Sequence, residues 1–308
     1  MAQTPEHGDS EYNLLLKIAE NFGVAANYGD SKNTILYKIA DGTYQGAINP
    51  SPVYDPDALS YVQISGASDI QNINAFVVGI KALGLWNSMV CWPLRSTQNA
   101  GTGSTAYSLG GLGTYNGTLV NGPTWGTDGV TFVATKYIDI RFGSNRGPTN
   151  TTVGVVTKSN NSQPIGFPYC GSISTNSIGA ESLSILSFNN SGNNFLAESY
   201  ISSVGVRTNA INNTDGVFRW SQAQKTSSNI ISRLNNSTQS TVMAGGITYD
   251  RLISTGRWQT GSVQNYTGPF GVGYEGIHSF MFLSENTNDF YLAYTLYKQT
   301  LGQGLGLP

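Results

Sequence analysis

From Ser68 to Arg95 the chain reads SDIQNINAFVVGIKALGLWNSMVCWPLR, and within it the hydrophobic period changes once. Ile70, Ile73, Val77, Ile80 and Leu83 recur at helical intervals, laying one apolar stripe along about four turns. Ser68 with Gln71 has the spacing of a capping box, and Gly84 stands where a left-handed residue would stop the helix. Leu85, Trp86, Met89, Val90, Cys91, Trp92 and Leu94 follow at once, dense and partly β-branched or aromatic, which predicts a buried strand. A helix therefore feeds a strand here, at the point where a β domain begins.

Only 11% of the 308 residues are charged, against roughly 25% in ordinary soluble domains, so Asn, Ser, Thr, Gly and Gln must carry the polar surface. With a formal net charge of −2 there is no basic field for nucleic acid, and nucleic-acid binding is disfavoured. No stretch reaches the 18 or so apolar residues of a membrane span. The start, MAQTPEHGDSEYN, has neither a basic nor an apolar region of a secretory signal, so synthesis in a cytoplasm is expected. Cys91 and Cys170 are too few and too far apart for a disulfide scaffold or metal knuckle, and read as two buried thiols.

Three zones follow from composition. Residues 1–45 hold an internal repeat: Leu14-Leu15-Leu16-Lys17-Ile18-Ala19 is echoed by Ile35-Leu36-Tyr37-Lys38-Ile39-Ala40. Each copy has the apolar spacing of one helix face, Asp30 or Ser31 can cap the second, and together they read as an αα-hairpin around Gly23–Gly29. So short a hairpin cannot bury enough surface alone. It is expected to anchor the chain through Leu14, Leu15, Ile18, Ile35, Leu36 and Ile39, on its own oligomer or on a partner. Residues 46–67, with Pro50, Pro52 and Pro56, read as an extended Pro-rich linker.

Residues 68–308 read as one β-sandwich or jelly roll. Short segments rich in β-branched residues, among them Gly129–Ala134, Tyr137–Phe142, Thr151–Thr157, Ser182–Phe188, Gly216–Trp220, Ile230–Leu234 and His278–Leu283, are separated by Gly, Asn and Ser clusters. The zone closes on a helix within Asn286–Gly302, with Phe290, Ala293, Tyr294, Tyr297 and Leu301 on one face. Asn286 or Asn288 can cap it, and Gly302 can end it.

Three stretches together, INAFVVGIKALGLWNSMVCWPLR, the Gly-rich SLGGLGTYNGTLVNGPTWGTDGVTF and FLSENTNDFYLAYTLYKQTLG, resemble the concanavalin A-like (LamG-like) sandwich of many bacteriophage virion proteins. In that family a short helix ending in LGLW leads into the first strand and a second helix follows the last. The resemblance covers about Ile70 to Gly302 in outline, with its close matches at the two ends and at Trp125–Phe132. It implies a mainly β jelly-roll sandwich in a viral setting, with a small N-terminal αα-hairpin and short flanking helices. It does not imply a ligand, because the fold hosts lectins, hydrolases and inert modules alike.

Chemistry is sparse. The retaining glucanases of this fold need Glu-x-Asp-x-Glu on one strand, and Tyr137-Ile138-Asp139-Ile140-Arg141 supplies the Asp and neither Glu. A carboxylate pair would have to draw on Glu181, Glu198, Glu275 or Glu285. His7 lies in a polar tail, His278 reads as a structural histidine, and no nucleophile-elbow spacing occurs. No metal, cofactor or catalytic residue is assigned; Asp128, Asp215 and Asp250 read as turn residues before calcium ligands. Ser108–Gly113 lacks the Gly-Lys-Ser/Thr of a phosphate loop and reads as a turn or close strand approach.

Trp258 and Tyr266, set among Gly, Gln and Asn, are the candidate glycan-stacking aromatics. The expectation is a non-enzymatic protein of the virion surface, made in the host cytoplasm and partnered by other virion proteins. It would form a homo-oligomer, with a trimer as the guess, and bind a host-surface glycan. A polysaccharide-degrading glycoside hydrolase of the same fold is the alternative.

Overall fold

The computed structural model describes residues 54–133, 136–141, 151–159, 167–172, 182–189, 193–201, 204–207, 211–212, 216–226, 229–242, 257–261, 276–285 and 292–308. Asp55–Pro308 form one compact unit. In chain order it opens with helices α1 (Pro56–Ser65) and α2 (Ile70–Ala82), then a 3-10 turn at Trp86–Ser88 and strand β1 (Met89–Pro93). Next come β2 (Thr105–Ala106), β3 (Gly117–Val120), β4 (Thr124–Trp125), β5 (Val130–Phe132), β6 (Tyr137–Arg141) and β7 (Thr151–Ser159). The middle of the chain gives β8 (Phe167–Ser172), β9 (Ser182–Asn189), β10 (Asn193–Ile201), β11 (Val204–Arg207) and β12 (Ile211–Asn212). The last are β13 (Arg219–Lys225), β14 (Asn229–Leu234), β15 (Ser237–Val242), β16 (Arg257–Gly261), β17 (Gly276–Ser284) and helix α3 (Leu292–Gln299).

The strands make two antiparallel sheets. The first runs β15-β14-β13-β7-β17-β5-β4, with β1 also on β17; the second runs β11-β10-β9-β8-β16-β6-β3-β2, with β12 on β10. Val90, Trp92, Phe132, Val153, Val155, Met281 and Leu283 of the first sheet share one buried cluster with Ala106, Leu119, Ile138 and Ile140 of the second. The sheets therefore stack face to face, and the chain is a mainly β sandwich of the jelly-roll, concanavalin A-like class, as the sequence predicts.

The other face of the first sheet is buried as well. Met89, Cys91, Val156, Trp220, Phe280 and Phe282, which alternate with the interior residues, pack against Ala58, Tyr61, Ile73, Phe76, Tyr294 and Tyr297 of the three helices. Trp220 stacks on Phe282 at 4.7 Å, Phe280 lies 4.5 Å from Tyr297, and Phe76 meets Phe280 edge-on at 5.7 Å. Each such pair contributes about 0.5–1.5 kcal/mol beyond simple burial. All five residues of β1 are buried, as expected for a strand covered on both sides.

The helix after Ser68 forms as its stripe predicts, over Ile70–Ala82, but Asp69 rather than Ser68 occupies the cap. The Asp69 carboxylate makes no backbone cap bond; it accepts from the side-chain amides of Asn72 at 3.0 Å and Gln98 at 2.9 Å. Gly84 has φ of +69°, and the Gly84 and Leu85 amides donate to the Lys81 and Ile80 carbonyls, closing a Schellman motif.

Residues 46–67 correct the sequence reading. The part from Pro56 to Ser65 is a helix, not an extended linker. Asp55 caps it by accepting from the Asp57 amide, Pro56 occupies the first turn where no amide partner is needed, and Gly66 ends it at φ of +70°. It packs on α2, where the Lys81 ammonium bridges Asp55 at 2.7 Å and Asp57 at 2.6 Å. Burial alone would raise the Asp55 carboxyl, but Lys81 and the Asp57 amide outweigh it and hold the group below the usual carboxylate range. Strand β13 covers Arg219–Lys225 where Gly216–Trp220 was expected, so the two share only Arg219 and Trp220. The closing helix spans Leu292–Gln299 and buries Ala293, Tyr294 and Tyr297. Phe290, Asn286, Asn288 and the anchoring residues Leu14, Leu15, Ile18, Ile35, Leu36 and Ile39 lie outside the described residues.

Candidate functional site

The helices cover one face of the first sheet, and two of the residues weighed for catalysis, Asp139 and Glu198, lie on the second sheet. Ile138 and Ile140 of β6 lie in the core between the sheets, so Tyr137, Asp139 and Arg141 belong to the opposite row. Tyr137 is buried there and Asp139 half-buried.

The ladder carries the Asp139 row across the whole sheet. Asp139 stands opposite Thr118 of β3 and Gln259 of β16, and Gln259 opposite Gly171 of β8. Gly171 is opposite Ser184, Ser184 opposite Glu198, and Glu198 opposite Arg207. This row, Thr118 to Arg207, is polar or glycine throughout. One step along, Arg141 stands directly opposite Arg257. Neither arginine stands out in the sequence.

The two acidic positions of the row, Asp139 and Glu198, are four strand spacings apart along the backbone, which is about 19 Å at 4.8 Å per strand. A retaining pair needs about 5–5.5 Å and an inverting pair about 6.5–9.5 Å. Asp139 and Glu198 are thus not an acid–base pair. Of the other glutamates weighed for that role, Glu285 sits at the end of β17 with its amide on the Ser88 carbonyl. Glu181 and Glu275 lie outside the described residues.

Trp258 is in β16, opposite Ile140 and Ser172. Tyr266 lies outside the described residues. His278 is fully buried on β17, with its ring 4.8 Å from Phe132. Burial lowers its pKa to about 3, so the imidazole is neutral at physiological pH, a structural histidine as the sequence suggests. Cys91 is a free thiol, buried between sheet and helices, and burial pushes its pKa well up.

Among the described residues no group of three or more His, Cys, Asp or Glu could hold a metal ion. The Asp128 carbonyl accepts from the Ser279 hydroxyl, while Asp215 and Asp250 lie outside the described residues. Ser108–Gly113 is a close backbone approach: Leu109 exchanges two 2.8 Å hydrogen bonds with Cys91, and a Cβ on Gly110 would fall 2.3 Å from the Met89 carbonyl oxygen. No helix of the described residues is long and apolar enough to cross a membrane.

No family model matches the chain, and no curated protein matches it. Among solved structures, a mutant Trypanosoma rangeli sialidase displaying trans-sialidase activity aligns at a TM-score of 0.55 and 9% identity, over 80% of this chain and 39% of that one. The enzymatically active domain of tailspike protein 2 from bacteriophage CBA120 aligns at 0.44 and 12%, over 58% of this chain and 28% of that one. Mouse laminin α1 LG domains 4–5 align at 0.40 and 10%, over 50% and 40%. This chain spans about a quarter of the length of the tailspike chains it matches. At such identities the likeness is one of fold alone.

Proposed function

We propose that the protein is a non-enzymatic component of a bacteriophage particle's exterior, a capsid decoration, head fibre or tail fibre, whose sandwich adheres to host glycans. The carrying observation is the row Thr118 to Arg207 of the second sheet, which places polar or glycine residues at successive strand positions while its two acidic positions, Asp139 and Glu198, are four strands, about 19 Å, apart. That spacing supports binding over hydrolysis. The sequence resemblance to phage virion sandwiches supports the viral setting. In this reading the N-terminal segment anchors the protein to other virion proteins, and a homo-oligomer, taken as a trimer, multiplies weak single-site affinity.

A glycan array probed with the full-length chain on a multivalent support is the test. Retention of host-surface glycans with no release of reducing ends supports adhesion. Absence of retention counts against it and favours a cement role, which particles lacking the protein would report as lost heat resistance with normal adsorption. Clearing of host capsule in a zymogram would establish the alternative, a glycoside hydrolase.

A further inference from the structure

Tyr294, buried on α3, donates its hydroxyl to the main-chain oxygen of Pro308, which draws the segment after α3 back against that helix. The same segment is held by Arg95, whose guanidinium donates to the Leu301 carbonyl at 3.1 Å and the Gln303 carbonyl at 2.8 Å, and by the buried Leu305 and Leu307. The β14–β15 turn brings Asn236 to the same place. That turn is tied to β13, where the Trp220 amide donates to the Asn235 side chain at 3.0 Å and the Asn235 amide to the Trp220 carbonyl at 2.9 Å. Helix, segment and turn bound a pocket of about 470 Å³, within the range of small-molecule sites.

Its walls are polar. Thr295 and Gln299 of α3, Gln303 of the following segment and Asn236 of the turn are exposed hydroxyl and amide side chains, each able to donate and to accept. The Gln303 amide is held in place by donating to the Gln299 carbonyl at 2.7 Å. Among the described residues lining the pocket, Lys298 is the one charged side chain, and it stands on the last turn of α3, where the partial negative charge of a helix C-terminus offsets it. Tyr294 and Pro308 add a small apolar surface.

We infer that this pocket takes a neutral sugar unit of a host glycan. Vicinal hydroxyl groups both donate and accept, as the amide and hydroxyl side chains here do, while the C–H face of a sugar ring can lie on Tyr294 and Pro308. A carboxylate or sulfate calls for a surplus of positive charge, and the helix end leaves little. The inference rests on the adhesion reading and names where on the molecule the sugar sits and which class it belongs to.

A glycan array carrying neutral glucose-, galactose- and mannose-terminated glycans beside glucuronate- and sialate-terminated ones tests it, probed with the full-length protein and with variants at exposed positions. Neutral glycans should be retained at least tenfold more strongly than acidic ones. Thr295→Trp, which fills the pocket with an indole, should abolish retention while leaving the urea midpoint unchanged. Asn236→Ala and Gln303→Ala should each weaken it about fivefold, the loss of one hydrogen bond, and Lys298→Ala should change it less than about threefold. Gln63→Ala, exposed on α1, leaves it unchanged. Retention that survives Thr295→Trp, or that ignores both the Asn236 and the Gln303 substitutions, overturns the pocket and leaves adhesion standing. Tenfold preference for acidic glycans, lost in Lys298→Ala, overturns the neutral class. A blank array with the unaltered protein defeats adhesion and pocket together.

Discussion

Gly154 lies at the centre of β7, opposite Phe282 on one side and Gln222 on the other. The Phe282 ring lies over it: a Cβ at that position would stand 1.9 Å from Cε1 and 2.1 Å from Cζ. To restore an ordinary carbon–carbon contact the ring must retreat by about 1.5 Å. It has nowhere to go, since Phe282 is fully buried with Trp220 stacked on it at 4.7 Å. Gly154→Ala is therefore overpacking at the upper end of the usual range, about 3 kcal/mol. Alanine's smaller unfolded-state entropy returns about 0.4–1 kcal/mol, leaving a net loss of roughly 2 kcal/mol. For a domain of this size that lowers Tm by about 4–8 °C. Urea unfolding followed by tryptophan fluorescence measures it, with the midpoint falling and the slope unchanged. The decisive arm is a double-mutant cycle. Phe282→Ala alone should cost about 3–5 kcal/mol, and the pair should cost at least 1 kcal/mol less than the sum, because the new methyl fills room the ring has left. Additivity within 0.5 kcal/mol or so would refute the claim that the ring sits on the glycine.

Other outcomes follow from the same structure. His278 titrates near 3 when folded against about 6.5 unfolded, so below pH 6.5 the unfolded chain binds a proton that the native one refuses. Stability should fall as pH drops from about 6.5 toward 3, by about 1.4 kcal/mol per unit once below 6, and His278→Asn should flatten that slope in urea titrations between pH 7 and 5. The Cys91 thiol should resist a disulfide-exchange reagent in the native protein and react at the rate of global unfolding; fast native labelling of Cys91, located by peptide mapping, would contradict its burial. Lys81→Ala should cost no more than about 1 kcal/mol, a difference that 1 M salt erases, because the Asp55 and Asp57 pairing is solvent-screened. Gly79→Ala should cost less than Gly154→Ala in the same urea assay, because the neighbour it meets is the flexible end of the half-buried Leu296 side chain.

The sandwich and its two flanking helices were legible because their signals are local. The stripe from Ile70, the stop at Gly84 and the dense run into β1 each report burial within a few residues. Helix α1 is hard to see in the sequence because Pro50, Pro52 and Pro56 together favour an extended chain, although Asp55-Pro56-Asp57 carries the cap, the first-turn proline and the first-turn acid that start a helix. Strand β13 was cut short because RWSQAQK looks like surface. Yet Gln222 is fully buried and accepts from the Trp220 indole at 3.2 Å, a bond between residues on the same row that no apolar pattern announces. The Arg141–Arg257 pairing was not legible at all, because register between strands more than a hundred residues apart is set by the packing of whole sheets.

The sandwiching of the first sheet between helices and second sheet also sets which parts of the molecule breathe. Strands β7 and β17 have neighbours on both edges and cover on both faces, so their amides can meet solvent only when the whole domain opens. The β14–β15 hairpin, turning through Asn235 at positive φ at the end of the same sheet, can fray without disturbing that centre. In deuterated buffer the core pair should thus be the last to exchange and the hairpin among the first, a gradient running across a single sheet.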